Sequence, residues 1–536
     1  MQTRYVVVLG SLLSGLGKGI VSSSIAKILS LYGYNAMPLK FDGYLNYDCG
    51  TMNPFRHGEV FVLEDGGEVD MDFGTYERFM DRNMKSSFSL TGGKVMNDVI
   101  SMERKGEFLG QDVQIIPQVT DYLIKRIESL SQKEHLDVLI IEVGGTVGDI
   151  ENGYFVEAMR QLGTLRKTVF IDVTMVPELE AVGEQKTKPT QIGLRSLRQD
   201  GIQPDFMICR TTRALEDRAR GKIALFANLP PEAVIDDHDV PSIYDMPELL
   251  MRQKLDKMLI GRLGLERRTI NRKALNEWKR CLHPGGSKNK PVVSVAIVGK
   301  YIKLHDAYAS VKESLSHAAM KNNVELKINW VESEYFEGKD AERHIGTLAD
   351  SDCVLVPGGF GKRGIEGMIR AIQYARTSKK PYLGLCLGMQ LMVVEYARNV
   401  CKLDDANSTE FGKTPHNVID LLEGQRGLSE KGATMRLGAA QIKVMGGTLA
   451  HSIYGSGVIS ERHRHRYELN NKFRGVLERG GLVISATTTD GQLAEMVEWR
   501  GQFGIGIQAH PEFKSRPEHP APLFEAFIRD AAAGGA

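Results

Sequence analysis

The sequence lacks an excess of charge of either sign. Its 536 residues include 68 Lys and Arg against 67 Asp and Glu, which leaves a formal charge of +1. Proteins dedicated to nucleic acid usually carry a large basic excess, so nucleic acid is not expected as a partner. Hydrophobic residues (42%) and charged residues (25%) stand at ordinary globular proportions, which argues against wholesale disorder.

Long apolar runs and closely spaced cysteines are also missing. No run approaches the ~18 to 20 apolar residues that span a bilayer. The first nine residues lack the basic region and cleavage site of a signal peptide. The six cysteines include no Cys-x-x-Cys pair, so neither a disulfide framework nor a zinc site is expected. We therefore expect a cytoplasmic protein that does not bind a membrane.

Short apolar runs alternate with amphipathic segments as far as about Leu265. This alternation predicts βαβ units and a parallel sheet with helices on both faces. The expected fold class is α/β, with two domains that each contain an open, mostly parallel sheet covered by helices. The strand candidates in the first half are 5–9, 37–41, 137–143, 168–173 and 205–209.

The polar stretch 266–290 marks a change of domain. It ends in His-Pro-Gly-Gly-Ser-Lys-Asn-Lys, which combines turn formers and charge without an apolar period. We predict an amino-terminal domain over 1–266, a linker over 267–290 and a carboxy-terminal domain over 291–536. The glycine-rich stretch 410–438 has little periodicity and is typical of a mobile loop or lid.

A glycine-rich turn joins the first predicted strand to a helix. In Gly10-Ser-Leu-Leu-Ser-Gly-Leu-Gly-Lys18-Gly19, backbone N–H groups, the helix amino terminus and a lysine could all bind phosphate. The first glycine lies too early for a standard P-loop, and Gly19 replaces the magnesium-binding Ser or Thr. An ordinary turn is the alternative, but the strand–loop–helix context favours a phosphate site.

Carboxylates that could accompany phosphate-bound Mg2+ occur in two places. Asp70 and Asp72 share one face of an extended segment. Glu142 ends an apolar strand, at the edge where parallel strands place functional residues. For each residue alone, a solvated or capping carboxylate is the alternative. Together with the glycine-rich turn, they indicate a metal–nucleotide site.

Lysines at strand ends and loops could bind nucleoside triphosphates, which carry roughly four negative charges each. Lys40 ends a strand, and Lys222 opens an apolar run. The segment Lys186-Thr-Lys-Pro-Thr-Gln191 is basic and interrupted by proline, which predicts a loop. Any single lysine is more often a surface charge, so this hypothesis depends on the whole set.

The second half carries a candidate nucleophile. Gly384-Leu-Cys386-Leu-Gly388 lies between a predicted strand and a helix, which is the nucleophile-elbow arrangement with cysteine in place of serine. The small flanking residues permit a strained turn, and the following helix amino terminus would stabilise a thiolate. A buried structural cysteine is the alternative, and it suits Cys353 inside a strand better.

A base, an orienting acid and an oxyanion site are also present. His510-Pro-Glu512 follows the alternating strand 503–509, so both side chains can project from one strand end toward a thiol placed there by the fold. The glycines of Val-Pro-Gly-Gly-Phe-Gly (356–361) could present free N–H groups as an oxyanion hole, or could form an ordinary turn.

The alternating run Arg-His-Arg-His-Arg-Tyr (462–467) has two interpretations. A solvated strand face is one of them. The other is that an arginine receives a substrate carboxylate in the neighbouring hydrolase site. The run is too short and too rich in histidine for a nucleic-acid signal.

These motifs together resemble a known family. The Cys386 turn, the His-Pro-Glu triplet and the 356–361 loop are similar to those of class I, triad-type glutamine amidotransferases. The first half resembles the synthetase domain of the CTP synthases, and the resemblance covers nearly the whole chain. The segments that carry it are SGLGKGI (14–20), HGEVFVLEDGGEVDMDFGTYERF (57–79), EVGGTVGDIE (142–151), GEQKTKPTQ (183–191), NSTEF (407–411), TMRLGA (434–439) and ERHRHRYE (461–468).

The resemblance implies a glutamine-hydrolysing ligase of pyrimidine nucleotide biosynthesis. In that family ATP phosphorylates O4 of UTP, and ammonia released from glutamine displaces the phosphate to give CTP. The expected cofactor is Mg2+, with ATP as co-substrate, and GTP is the allosteric activator, associated with the lid region around Arg436. The expected assembly is a homotetramer.

The resemblance also assigns residues to roles. The catalytic residues are Cys386, His510 and Glu512, and the metal ligands are Asp72 and Glu142. The ATP-binding residues are Gly15, Leu16, Gly17, Lys18, Gly19, Ile20, Lys40, Asp72, His238, Asp239 and Val240. The residues for UTP or the inhibitor CTP are Ser14, Asp149, Ile150, Glu151, Lys186, Thr187, Lys188, Pro189, Thr190, Gln191 and Lys222. The glutamine-binding residues are Gly359, Leu387, Gly388, Met389, Gln390, Glu410 and Arg466.

Five positions depart from the family pattern: Ser11, Gly15, Gly43, Cys49 and Ala509. The first four lie near the predicted nucleotide site, so they bear on nucleotide affinity and not on the class of reaction.

Two other functions fit parts of the sequence. One is another P-loop amidotransferase, such as a cobyrinic acid amidating enzyme, which would not need the 186–191 segment. The other is a nucleotide-binding, filament-forming structural protein, for which an intact Cys386, His510 and Glu512 would be unnecessary.

Overall fold

The computed structural model describes residues 2–179, 183–285, 290–338, 341–422 and 434–534, apart from the side chain of Arg343. Contacts divide the chain into two units, one of residues 1–48 with 75–277 and one of residues 49–74 with 278–536. The segment 49–74 is therefore grouped with the second unit, although the sequence-based boundaries put it in a domain of residues 1–266. The boundaries 1–266, 267–290 and 291–536 stay a prediction.

The strands of the described residues are short and come from the whole length of the chain. They are β1 (Arg4–Gly10), β2 (Ala36–Asp42), β3 (Phe61–Val62), β4 (Glu68–Val69), β5 (Ser89–Thr91), β6 (Val138–Val143), β7 (Thr168–Met175), β8 (Glu178–Leu179), β9 (Glu184–Gln185), β10 (Phe206–Thr211), β11 (Val234–His238), β12 (Val292–Gly299), β13 (Glu325–Glu332), β14 (Cys353–Val356), β15 (Tyr382–Leu385), β16 (Asn407–Ser408), β17 (Asn417–Leu421), β18 (Arg436–Val444), β19 (Val458–His465), β20 (Tyr467–Leu469), β21 (Val483–Thr488), β22 (Ala494–Glu498) and β23 (Gly504–Ile507).

The α-helices alternate with these strands through most of both units. They are α1 (Lys18–Leu31), α2 (Pro54–His57), α3 (Asp72–Met80), α4 (Gly92–Arg104), α5 (Thr120–Lys133), α6 (Gly153–Leu165), α7 (Lys188–Gln199), α8 (Asp217–Ala227), α9 (Met246–Arg252), α10 (Leu255–Leu263), α11 (Arg272–Leu282), α12 (Ala309–Asn322), α13 (Ala341–Ala349), α14 (Ile365–Thr377), α15 (Leu387–Asn399), α16 (Leu449–Tyr454), α17 (Asn471–Gly480) and α18 (Pro522–Gly534). No helix in the described part of the chain is long and apolar enough to span a bilayer.

The first unit contains a seven-stranded sheet of order β11-β10-β7-β1-β6-β2-β5, in which every neighbouring pair is parallel. Helices cover both faces of this sheet, so its strands are buried on both sides and consist of nearly continuous apolar residues. In β10, Phe206 and Ile208 pack into one core, while Met207 and Cys209 pack into the other. This unit confirms the predicted α/β class.

The second unit contains a nine-stranded sheet of order β13-β12-β14-β15-β23-β22-β21-β18-β19. The first five strands pair in parallel, and the last four continue the sheet in antiparallel fashion. Cores lie on both faces, because Val354 and Val356 of β14 face one cluster and Cys353 and Leu355 the other. The unit is α/β as predicted, with a parallel half that carries the predicted elbow and an antiparallel extension.

One local sequence prediction was wrong. The segment 186–191 is not all loop, because α7 begins at Lys188. Pro189 lies in the first turn, where a helix does not need its N–H group. The predicted linker contains α11, whose Trp278 and Leu282 are buried. Of the predicted lid 410–438, residues 423–433 lie outside the described part of the chain.

A buried ion pair joins two helices of the second unit. Arg376 of α14 donates to both carboxylate oxygens of Glu395 on α15, at 2.9 and 2.6 Å. The Glu395 side chain is fully buried. Its charge therefore depends on the guanidinium and on neighbouring hydrogen bonds.

We predict that Arg376→Ala lowers the free energy of unfolding of this unit by about 3 to 5 kcal/mol, because it leaves a carboxylate buried without its cation. Urea denaturation followed by tryptophan fluorescence measures this, since Trp278, Trp330 and Trp499 all lie in the second unit. The control is Arg474→Ala, which removes a pair with the exposed Glu478 on α17 and should cost less than about 1 kcal/mol. Equal losses in the two variants would contradict the prediction.

Candidate active sites of the two units

The predicted phosphate loop lies between β1 and α1. Gly15 and Gly17 have φ values of 75° and 87°, in the left-handed region that favours glycine. The Lys18 ammonium donates to the Gly145 carbonyl at 2.7 Å. A Cβ at Gly10 would lie 2.7 Å from that ammonium, so glycine leaves the space that Lys18 occupies. The lysine thus lies between the carboxyl ends of β1 and β6, within reach of a phosphate bound over the loop.

Lys40 and Glu142 meet at the same edge of the sheet. They are register partners in β2 and β6, and Lys40 Nζ lies 3.9 Å from Glu142 Oε1 and 3.9 Å from Asp42 Oδ1. The Tyr76 hydroxyl also donates to Glu142. The structure therefore brings together two residues that the sequence placed in the ATP and metal sites.

The second predicted metal ligand, Asp72, is the first residue of α3, and its N–H group donates to Asp70 Oδ1 at 2.9 Å. The division by contacts assigns Asp72 to the second unit and Glu142 to the first. Over the described residues, no group of three or more His, Cys, Asp or Glu side chains is arranged to hold a metal. Oxygen donors of this kind suit Mg2+, which binds through one or two carboxylates with substrate phosphates and water.

The residues predicted to bind UTP lie on the loops that follow β1, β6 and β9 and on α7 and α8. Asp149 accepts a hydrogen bond from the Thr146 N–H group at 2.9 Å, and Ile150 is 94% exposed. On α7, the Thr190 hydroxyl donates to the Met175 carbonyl at 2.9 Å. The remaining members of the set are Ser14 in the phosphate loop, Glu151, Lys186, Thr187, Lys188, Pro189, Gln191 and the exposed Lys222 on α8.

The predicted ATP-binding residues 238–240 lie at the end of the edge strand β11, of which His238 is the last residue. His238 Nδ1 lies 2.8 Å from Asp236 Oδ2, and Asp239 forms an ion pair with Arg210. Val240 is partly buried against the core that contains α1. All three lie at the carboxyl edge that also carries the phosphate loop.

Asp172, a fully buried residue of β7, was not among the predicted site residues. Its Oδ2 accepts a hydrogen bond from the Ser11 hydroxyl at 3.1 Å. Burial raises the pKa of Asp172 to about 7, and Ser11 and the Lys18 charge oppose the shift. Ser11 departs from the glycine that is usual in the family, and its hydroxyl partners this carboxyl group. An acidic residue inside the apolar run 168–175 was the available signal.

Cys386 occupies a strained turn between β15 and α15. Its φ and ψ are 49° and −97°, a conformation that costs of order 1–3 kcal/mol for a non-glycine residue. A Cβ at Gly388 would lie 2.1 Å from the Val356 carbonyl oxygen, and one at Gly384 would lie 2.7 Å from the Gly388 carbonyl carbon. The two glycines of the motif are therefore required by packing, as the elbow interpretation predicts.

His510 and Glu512 lie beside this turn. His510 Nδ1 is 2.7 Å from Glu512 Oε1, and the His510 N–H group donates to the Arg462 carbonyl at 2.8 Å. A Cβ at Gly358 would lie 2.9 Å from His510 Cε1 and 3.8 Å from Cys386 Cβ, so the three loops converge. Burial disfavours the charged imidazole, but Glu512 and the Cys386 sulfur together raise the pKa of His510 to about 10.

Backbone donors surround the thiol. The Phe360 N–H group donates to the Tyr301 hydroxyl, and the Gly361 N–H group donates to Glu410 Oε1. Within the described residues, the N–H groups of Gly358 and Gly359 form no hydrogen bond. Leu387 adds an N–H group from the first turn of α15, where a helix leaves its donors free. These N–H groups can donate hydrogen bonds to an oxyanion that forms at the attacked carbon.

Lys300, at the end of β12, is a second residue that sequence analysis missed. It is buried and donates to the carbonyls of Phe360 and Gly361 at 3.1 and 2.6 Å. Burial lowers the pKa of Lys300 to about 8, and Glu410 opposes the shift. The lysine fixes the conformation of the glycine loop. Its position after an apolar strand was the only signal.

The residues predicted to bind glutamine surround the same turn. Gly359 faces Leu387, and Gly388, Met389 and Gln390 complete the first turn of α15. Glu410 accepts from Gly361 at 2.8 Å, and burial raises its pKa, opposed by that hydrogen bond and by Lys300. Arg466 donates to the Thr434 hydroxyl at 2.8 Å.

The solvated-face interpretation of 462–467 was wrong. Arg462, His463 and His465 are at most 1% exposed. Arg462 pairs with Glu64 at 3.1 Å, and Arg464 pairs with Glu68 at 2.8 Å. Such charges are tolerated in an interior because each has an opposite partner.

Comparison with known proteins matches both halves of the chain. Residues 4–265 match the family described as CTP synthase N-terminus, and residues 303–530 match glutamine amidotransferase class-I. A CTP synthase from Caldanaerobacter subterraneus subsp. tengcongensis is 49% identical over 534 residues, which cover 98% of both chains. A CTP synthase from Pyrococcus furiosus is 47% identical over 542 residues, which cover 99% of this chain and 98% of the other.

Among solved structures, the chain is similar to the glutaminase domain of Trypanosoma brucei CTPS with bound acivicin. The identity is 39%, the match covers 45% of this chain and 94% of that one, and the TM-score is 0.43. The full-length relatives and the two family matches lead to one conclusion. The chain belongs to the CTP synthase family of glutamine-dependent ligases.

Proposed function

We propose that this chain makes CTP from UTP, ATP and glutamine, and releases ADP, phosphate and glutamate. The observation that carries the proposal is the arrangement of Cys386, His510 and Glu512 in a chain that also bears the Lys18 phosphate loop. A thiol hydrolase supplies ammonia, and a phosphate site activates the acceptor.

In the second unit, the Cys386 thiolate attacks the carboxamide carbon of glutamine. The N–H groups of Gly359 and Leu387 bind the oxyanion of the tetrahedral intermediate. His510 gives its proton to the leaving ammonia, while Glu512 holds the imidazole in position. Water then hydrolyses the thioester to glutamate, with His510 as base. Arg466 and Glu410 would bind the charged α-groups of the substrate.

In the synthetase reaction, the γ-phosphoryl group of ATP passes to O4 of UTP, and ammonia then displaces phosphate from C4. Lys18 and Lys40 would balance the charge of the transferred group. Asp72 and Glu142 would hold Mg2+, which supplies charge neutralisation on the triphosphate. The 149–151 and 186–191 segments with Lys222 would bind UTP or the inhibitor CTP.

Three further properties belong to the proposal by family likeness. GTP activates glutamine hydrolysis from the lid region around Arg436, the chain assembles as a homotetramer, and it works in the cytoplasm. Neither nucleic acid nor a membrane is a partner. A cobyrinic acid amidating enzyme and a filament-forming structural protein are not proposed, because the full-length relatives are CTP synthases.

Cys386→Ala should separate the two activities. Without sulfur no thioester forms, so glutaminase and glutamine-dependent CTP synthesis should fall about a thousandfold or more. Ammonia-dependent synthesis should persist, since alanine fits a turn built from small residues. Side-by-side assays with glutamine and ammonium salt test this, with the half-buried Cys401→Ala as control. Retained glutamine-dependent activity would remove Cys386 as the nucleophile.

Lys18→Ala should reduce CTP formation about a hundredfold or more with either nitrogen source, because phosphoryl transfer precedes amination. Glutamine hydrolysis without nucleotides should change little. The matched control is Lys85→Ala, whose exposed side chain pairs with Glu134 at 2.8 Å and which should stay within twofold of wild type. Normal ammonia-dependent synthesis in Lys18→Ala would contradict the assignment of Lys18 to the phosphate site.

The raised pKa of His510 predicts a pH dependence of stability. Between the ordinary value of 6.5 and about 10, the folded chain holds a proton that the unfolded chain has lost. This contribution is complete below pH 6.5 and disappears as pH rises toward 10, so the free energy of unfolding should fall across the window. In Glu512→Gln the fall should be shallower, because the charge that raises the pKa is gone.

Urea unfolding of the second unit at pH 6, 8 and 10, followed by tryptophan fluorescence, measures this difference. Glu478→Gln, at an exposed position on α17, should keep the wild-type slope. Parallel slopes in wild type and Glu512→Gln would show that Glu512 does not stabilise the imidazolium.

A further inference from the structure

Gln508 brings an amide to the reacting sulfur. It follows β23, and its side chain is fully buried. Its Nε2 lies 3.6 Å from Cys386 Sγ, within hydrogen-bonding distance for sulfur. Its backbone N–H donates to the Glu495 carbonyl at 2.8 Å, which fixes the residue against β22.

A chain of hydrogen bonds fixes which end of this amide faces the sulfur. The Tyr467 carbonyl can only accept, and it takes one N–H of Gln390 at 2.8 Å. The same Gln390 nitrogen donates its other N–H to Gln508 Oε1 at 3.3 Å. Gln508 must therefore turn its NH2 group, which can only donate, toward Cys386.

The Arg464 carbonyl also lies near the sulfur, and it stabilises the neutral thiol and not the thiolate. The Arg464 carbonyl lies 3.9 Å from Sγ and can accept the S–H proton. Once His510 has taken that proton, the thiolate can no longer donate a hydrogen bond to the Arg464 carbonyl. The Gln508 N–H group, by contrast, then donates its hydrogen bond to an anion. Hydrogen bonds to charged groups are about twice as strong as neutral ones.

We propose that Gln508 is a further catalytic residue, which stabilises the Cys386 thiolate and holds it in line for attack through an N–H···S hydrogen bond. This rests on the proposed role of Cys386 as nucleophile. No proton leaves Gln508: the thiol proton moves to His510, and the amide only donates a hydrogen bond. The charged or titratable groups that share the pocket with Cys386 are Glu59, Tyr301, Tyr308, Arg464, His510 and Glu512.

The test uses Gln508→Met in the full chain, because methionine has nearly the same shape and no donor. The probe is iodoacetamide, and the readout is the rate of Cys386 alkylation, followed by mass spectrometry of the Cys386 peptide. At pH 6 the rate should fall about tenfold relative to wild type. Toward pH 10 the two rates should converge, because the thiol ionises without help. Glutaminase kcat/KM at neutral pH should fall by a similar factor, with ammonia-dependent synthesis unchanged.

Gln508→Leu also removes the donor, in a slightly shorter side chain, so it should slow alkylation at pH 6 by a similar factor. Ser485→Ala, at a buried position on β21, should stay within twofold of wild type. If Gln508→Met does not fold, as judged by tryptophan fluorescence, the alkylation rate of Gln508→Leu tests the inference instead. A wild-type rate at pH 6 in a folded Gln508 variant would overturn the inference.

The same experiment separates this inference from the function on which it rests. If alkylation of Cys386 in wild type leaves glutamine-dependent synthesis intact, the nucleophile assignment fails, whatever Gln508 does. If alkylation abolishes that synthesis and the Gln508 variants react like wild type, only the role of Gln508 fails.

Discussion

Parallel strand pairing is the constraint on which both sites depend. Parallel strands end at the same edge of a sheet, so loops that are distant in sequence converge there. In the second unit, β14, β15 and β23 are neighbours. Gly358, Cys386 and His510 follow these three strands and therefore meet. In the first unit, the same rule brings Lys18 beside Gly145 and pairs Lys40 with Glu142.

Close backbone packing then holds the Cys386 thiol at the strand ends, where it can react. Gly388 lies where any side chain would strike the Val356 carbonyl, so α15 can start directly beneath the strand ends. This packing holds Cys386 in a conformation that a free chain would avoid, and the cost is met by the surrounding core. Lys300 adds a buried charge and Glu410 a half-buried one around the glycine loop, and their partners are largely backbone groups of that loop.

Local motifs predicted the elbow, the phosphate loop and the α/β class, because each depends on residues adjacent in sequence. The burial of Arg462 and the ion pair of Arg464 could not be predicted, since they depend on Glu64 and Glu68, about 400 residues away. The grouping of 49–74 with the second unit has the same origin. Lys300 and Gln508 carry no motif, and only the arrangement of the strands shows what they touch.

Arg436, which the proposed function links to GTP only by family likeness, has a structural role in the interior. Its guanidinium binds Glu495 at 2.6 Å and Glu468 at 3.2 Å, and both carboxylates are buried. Burial raises the pKa of Glu468 to about 7 despite this arginine. Burial also disfavours the charge of Glu495, yet His463 and Arg436 hold its pKa below the ordinary value. The guanidinium is thus the cation of a buried network in β18, β20 and β22. A loss of the proposed GTP activation in an Arg436 variant would therefore not by itself indicate contact with GTP, because the same change removes the charge that keeps two interior carboxylates in place.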